Sequence, residues 1–171
     1  MDQNALSQFT QFFTLTDSAA TERVRERLAL VLHDPGAYQA QFAEELAERG
    51  IETALPPQEL RDMALIDALL SEDLAWESDW KDSAADIAEG LHEVLAQQKR
   101  GVRLQLAAVA RLGQPGPEQL DAVQDDLEQL GLALVLFTLD SDSFPLGVVA
   151  DAQVEGVRNQ AQALGFELMV Y

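Results

Sequence analysis

A chain of 171 residues, 47% of them hydrophobic and 24% charged, can bury a sizeable core and is too apolar to remain disordered. Thirty acidic residues against 11 basic ones give a net charge of −19, and cysteine is absent. That balance excludes disulfides and thiolate zinc sites, opposes nucleic-acid phosphates and anionic membrane surfaces, and favours a basic protein partner. The N-terminus MDQNALSQF has neither the basic flank nor the apolar core of a signal peptide, and no apolar run approaches the roughly 20 residues of a membrane span. A cytoplasmic protein is therefore expected.

Asp2 or Asn4 can cap a first helix that carries Leu6, Phe9 and Phe13 on one face. Thr16-Asp17-Ser18 reads as a break and a second cap, followed by a helix to about Leu32 with Val24, Leu28 and Val31 inward. Asp34-Pro35 starts a third helix, with Tyr38, Phe42 and Leu46 at i, i+4 and i+8 and Gly50 just past its end. Pro56-Pro57 opens a fourth, from about Gln58 to Leu70, which is apolar on more than one side and so packs between neighbours.

Leu74 to Trp80 alternates as an edge or half-exposed strand, with Leu74, Trp76, Ser78 and Trp80 on one face and Glu77 and Asp79 on the other. Ser83 and Asp86 form a capping box for a helix lined by Ile87, Leu91, Val94 and Leu95, ending near Gly101. Val102 to Leu106 alternates like a strand but Ala107 to Ala110 prefers helix, which leaves 102–112 open between the two, and Gly113 to Pro117 is a loop. A helix from Glu118 to Leu130 follows, with Gly131 at its end. Leu132–Val149 is the most apolar run of the chain, read as two buried strands joined at the corner Asp140-Ser141-Asp142-Ser143. A helix closed by Gly165 and a terminal strand, Phe166 to Tyr171, complete the chain. The expected fold is one α+β domain over residues 1–171: a mainly helical part, 1–70, and an α+β part, 74–171. Its small mixed sheet and C-terminal hairpin/α/β unit pack against the N-terminal helices.

Asp140 and Asp142 are the candidate metal ligands, since two carboxylates at the end of an apolar strand are a common start for cation or phosphoryl chemistry. An EF-hand would need a glycine at Pro145 and an oxygen ligand at Phe144. The haloacid-dehalogenase motif would need later lysine and acidic ligands, yet about thirty residues follow and Arg158 is their only cation. The sugar-nucleotide transferase D-x-D is a weaker pattern, in a chain short for that fold. A hairpin corner, with Asp and Ser bonding nearby amides and Pro145 fixing the exit, accounts for the same residues.

The two histidines, His33 and His92, offer little to catalysis. His92-Glu93 begins an H-E-x-x-H pattern but meets Ala96 at its fifth position. No G-x-S-x-G elbow, G-x-G-x-x-G turn or Walker A loop is present, so no cofactor is expected.

A second acidic reach, Asp67 to Glu93, holds Lys81 as its only cation and encloses both tryptophans. Trp76, Glu77, Asp79, Trp80 and Asp82 are its candidate binding residues, because acidic rims around aromatic anchors suit a basic protein surface. Strand alternation alone would also explain the tryptophans as core.

Asp79-Trp80-Lys81-Asp82 leading into a helix, together with Leu139-Asp140-Ser141-Asp142-Ser143-Phe144-Pro145-Leu146 leading into an apolar strand, resembles an uncharacterised family of bacterial proteins known as a domain of unknown function. The resemblance covers about the last hundred residues, with Phe144 where the family tends to have tyrosine. It implies an α+β domain and carries no activity and no site. The residues point to a non-catalytic interaction protein, regulatory or immunity-like; the alternative is a divalent-metal binder or enzyme centred on Asp140 and Asp142.

Overall fold

Side-chain caps fix where several helices begin. In the computed structural model, which describes residues 2–105 and 117–171, Asp2 accepts the amide of Asn4 at the start of α1 (Gln3–Thr14). Asp17 accepts the amide of Ala20 at the start of α2 (Ser18–His33), and Asp34 that of Ala37 at α3 (Pro35–Gln41). The helix expected to continue to Gly50 breaks at Phe42, and α4 (Ala43–Glu48) follows. The break sets the Phe42 ring against Tyr38, 4.6 Å between centroids, and under the Arg27 guanidinium at 4.0 Å. Cation–π contact thus accompanies the lost helical continuity. Gly50 takes φ +82°, the left-handed conformation that ends a helix without steric cost.

Helix α5 (Pro57–Leu70) is buried on two sides, as its sequence predicts. Leu65, Ile66 and Leu69 face the sheet, whereas Leu60, Met63 and Ala64 pack with Val31, Tyr38 and Leu46 of the neighbouring helices. The reciprocal capping box of Ser83 and Asp86 starts α6 (Ala84–Gln97), which stops short of Gly101. Helix α7 spans Pro117–Gln129 and α8 Val154–Leu164, the latter ended by Gly165 at φ +87°. Val102–Gln105 has no regular structure, and the strand-or-helix question for 106–112 lies outside the described residues.

Four strands, β1 (Trp76–Asp79), β2 (Leu132–Phe137), β3 (Ser143–Ala150) and β4 (Leu168–Val170), form a sheet in the order β1-β3-β2-β4. The α+β class stands. The expected mixed pairing does not: among the described residues every pairing is antiparallel, with Trp76 opposite Leu146, Val135 opposite Gly147 and Leu136 opposite Met169. The terminal strand shortens to three residues, because Phe166 leaves the sheet to stack on Phe9 at 5.4 Å.

Helices cover both faces of this sheet. Ala133, Val135, Phe137 and Val149 pack with α1, α2, α5 and α8, while Leu132, Leu134, Leu146 and Val148 pack with α6 and α7. This two-sided burial explains why β2 and β3 read as unbroken apolar runs, a pattern more familiar from parallel sheets. Gly147 is required at the centre, since a Cβ there would lie 2.9 Å from the Phe137 ring. Gln98, buried past the end of α6, donates its amide to the carbonyls of Phe13 and Val148 at 3.0 Å each, joining α1 to β3. Among the described residues no helix is long and apolar enough to cross a membrane.

Candidate interaction surface at the hairpin corner

The two acidic motifs lie far apart in the chain and meet at one end of the sheet. Antiparallel register places Asp79 opposite Ser143, and the Trp80 amide continues the ladder by donating to the Asp142 carbonyl at 3.0 Å. The connection between β2 and β3 is built by its serines. The Ser141 hydroxyl lies 2.8 Å from that of Ser143 and accepts the Ser143 amide at 3.1 Å, while the Ser141 amide donates to the Leu139 carbonyl. The carboxylates of Asp140 and Asp142 are exposed and take no hydrogen bond within the described residues. The corner therefore folds by serine and backbone bonding and leaves both charges facing water.

Asp79 and Asp82 shape the turn beyond β1. Asp82 accepts the Ser78 hydroxyl at 2.9 Å and the Asp79 amide at 3.0 Å, and Asp79 accepts the Lys81 amide at 2.9 Å. Their turn projects Trp80 outward, 46% exposed, with the Lys81 ammonium 5.3 Å from its ring. Asp79 and Trp80 of the second candidate set thus stand beside Asp142, with Asp82 in the turn that follows, whereas Asp140 lines a separate hollow with Leu55, Asp62 and Glu167.

Trp76 and Glu77 face inward instead. Trp76 packs in the core beneath α6, so close that a Cβ on Gly90 would lie 2.2 Å from the indole. The strand face predicted for Leu74 and Trp80 is not shared with Trp76: Leu74 belongs to the opposite core and Trp80 lies past the strand. Glu77 points to the other side of β1, where a helix end supplies a cation. Arg49 donates to Glu77 at 2.9 and 3.1 Å and to Asp67 at 2.6 and 3.0 Å. The Ser143 hydroxyl adds a third donor to Glu77 at 2.8 Å. Since each hydroxyl has one hydrogen, Ser141 donates to Ser143 and Ser143 to Glu77, a directed chain from the corner to the clamp.

Burial raises the carboxyl of Asp67, against the pull of Arg49, and its second oxygen is buried with no hydrogen-bond partner. Burial also pushes on Glu77, but there the hydrogen bonds from Arg49 and Ser143 win and hold it below the usual range. Two carboxylates share one guanidinium, and the one with the extra hydroxyl donor is the better stabilised anion. Arg49 and Asp67 carry no local signature of this role, being 18 residues apart and on separate helices.

Among the described residues no group of three or more His, Asp or Glu side chains could hold a metal ion. His92 spends Nε2 accepting the Leu104 amide at 3.1 Å, a structural bond that supports the chain leaving α6. Beside the corner, between it and the β4–α8 edge, lies a groove of about 550 Å³ walled by Phe137, Phe144, Phe166 and Met169. Met169, absent from the sequence-derived candidates, is 49% exposed there.

These features define an α+β protein whose antiparallel sheet is enclosed by helices and ends in an acidic corner. The chain belongs to the family described as Domain of unknown function (DUF6630), which matches residues 5–171 and so takes in the helical part as well as the sheet. No curated protein and no solved structure matches it.

Proposed function

We propose that this chain is a non-catalytic interaction protein, of the regulatory or immunity kind, that engages a basic protein partner through the corner end of its sheet. The observation that carries the reading is the pairing of Asp79 with Ser143 and of the Trp80 amide with the Asp142 carbonyl, which sets the exposed Trp80 and Asp79 beside the exposed Asp142. An aromatic anchor inside an acidic rim gives a cationic surface both a contact and a field, and the net charge of −19 speeds its approach. The same field opposes nucleic acid.

Titration of the isotope-labelled protein with hexalysine tests this. The Trp80 indole and the amides of residues 79–82 and 140–143 should shift first, with an affinity that falls as salt screens the contact. Shifts spread evenly over other acidic surface, such as Asp121, Asp125 and Glu128 on α7, would refute a corner-specific site.

A further inference from the structure

We infer that the groove beside the corner is the anchor pocket of this surface, and that it receives an apolar side chain carried on a basic segment of a partner protein. The inference rests on the reading above and adds the pocket and the form of the partner. Trp80, Met169 and Leu130 are the exposed large hydrophobics among the described residues, and the first two flank this end of the sheet from opposite edges. Three strand spacings separate those edges, roughly 14 Å, which a short peptide segment can bridge.

The groove's chemistry favours an apolar guest. Its Ser141 and Ser143 hydroxyls are already committed to each other and to Glu77. Its cation, Arg158, is committed to Glu155 at 2.8 Å and to the Val170 carbonyl at 2.7 Å. Thr138, Gln162 and Glu167 also line it, but its larger walls are apolar: Phe137, Phe144 and Phe166, with Met169 as an unbranched, adaptable lip. A volume of about 550 Å³ is ample for an aromatic or branched side chain. Glu167 lines its edge, and outside it stand the exposed carboxylates of Asp140 and Asp142. Those charges match cationic residues on either side of the anchor and oppose a second copy of this chain, which would bring −19 against −19.

Two capped peptides of equal charge separate the outcomes: Lys-Lys-Leu-Phe-Lys-Lys and Lys-Lys-Gly-Ser-Lys-Lys. The anchored peptide should bind at least about tenfold more tightly, as burial of one large apolar side chain implies, and should shift the signals of Phe144, Gln162 and Met169. Gln162→Trp, which fills the groove from α8, should remove that advantage while leaving the Gly-Ser peptide unaffected. If that variant misfolds, Met169→Ser, at an exposed position, should cut the advantage by removing the lip. Equal binding of both peptides at the corner, or an advantage that survives whichever variant folds, overturns the anchor pocket and leaves the acidic surface standing. Failure of both peptides to perturb the Trp80 region overturns both readings.

Discussion

Replacing Arg49 by methionine removes the one cation that Asp67 and Glu77 share and leaves two partly buried carboxylates facing each other. The side chains of Arg49, Asp67 and Glu77 are 19%, 11% and 27% exposed, so water reaches the cluster only in part. Breaking a fully buried pair from one side costs about 3–5 kcal/mol. Discounted for the remaining exposure, the expected loss is about 2–3 kcal/mol, or ~4–12 °C in Tm for a domain of this size. The pH dependence is the sharper test. In the parent, Asp67 titrates above its ordinary value because it is buried, so it costs stability at neutral pH and returns it as pH falls through its folded pKa. Glu77, although burial pushes it up, is held low by Arg49 and Ser143, so it stabilises above its ordinary value and that contribution is lost as pH falls through its folded pKa. Without Arg49 both folded pKa values rise, and the variant takes up protons at a higher pH than the parent. The gap between the two proteins should therefore be widest near neutrality and narrow towards the ordinary carboxylate range. Urea denaturation at stepped pH measures it, and the triple change Arg49→Met, Asp67→Asn, Glu77→Gln should recover most of the loss. A cost below about 0.5 kcal/mol, or a gap that stays constant with pH, would refute the shared clamp.

Gly90→Ala would gain about 1 kcal/mol of helix propensity at an open site, but here its Cβ falls 2.2 Å from the Trp76 indole. Overpacking of that kind costs about 1–3 kcal/mol or more, so net destabilisation is expected in urea melts, and Trp76→Leu in the same chain should relieve part of it. A variant more stable than the parent would show that the indole moves aside freely. For the corner, calorimetry with magnesium, calcium and manganese should give at most weak heat, because Asp140 and Asp142 have no third ligand of their kind among the described residues. A submillimolar isotherm that vanishes in Asp142→Asn would instead establish a cation site.

What the sequence disclosed was the part of the fold governed by neighbours in the chain. Asp17, Asp34 and the Ser83–Asp86 box cap helices through bonds spanning two or three residues, and the long apolar run around the hairpin required burial on both sides. The break at Phe42 escaped because its compensation, the Arg27 guanidinium, comes from another helix. Strand alternation set Glu77 on the face opposite Trp76 but could not show what covers that face; helices lie against both sides of the sheet, and Glu77 meets Arg49. Trp76 and Trp80 share a strand period but not an environment, since β1 ends between them. The groove was invisible for the same reason: its walls come from β2, β3, the segment before β4 and Met169, segments joined only by strand order.

At the β2–β3 connection the acidity is separable from the bonding that places it, whereas Asp79 and Asp82 spend carboxylate oxygens on their own turn. A turn made by aspartates through side-chain caps would consume the carboxylates that a partner needs. In this chain Ser141 and Ser143 carry the turn, Ser143 passes its hydrogen to Glu77, and Arg49 ties Glu77 to α5 through Asp67. The position of the corner is thereby tied to the helical part of the protein through Glu77 of β1, Arg49 at the end of α4 and Asp67 of α5. Asp140 and Asp142 are left out of that chain of bonds, so charge at the corner can vary without loosening the turn. On the proposed reading, that division lets the sheet end present a surface whose specificity would be tuned by a few exposed carboxylates.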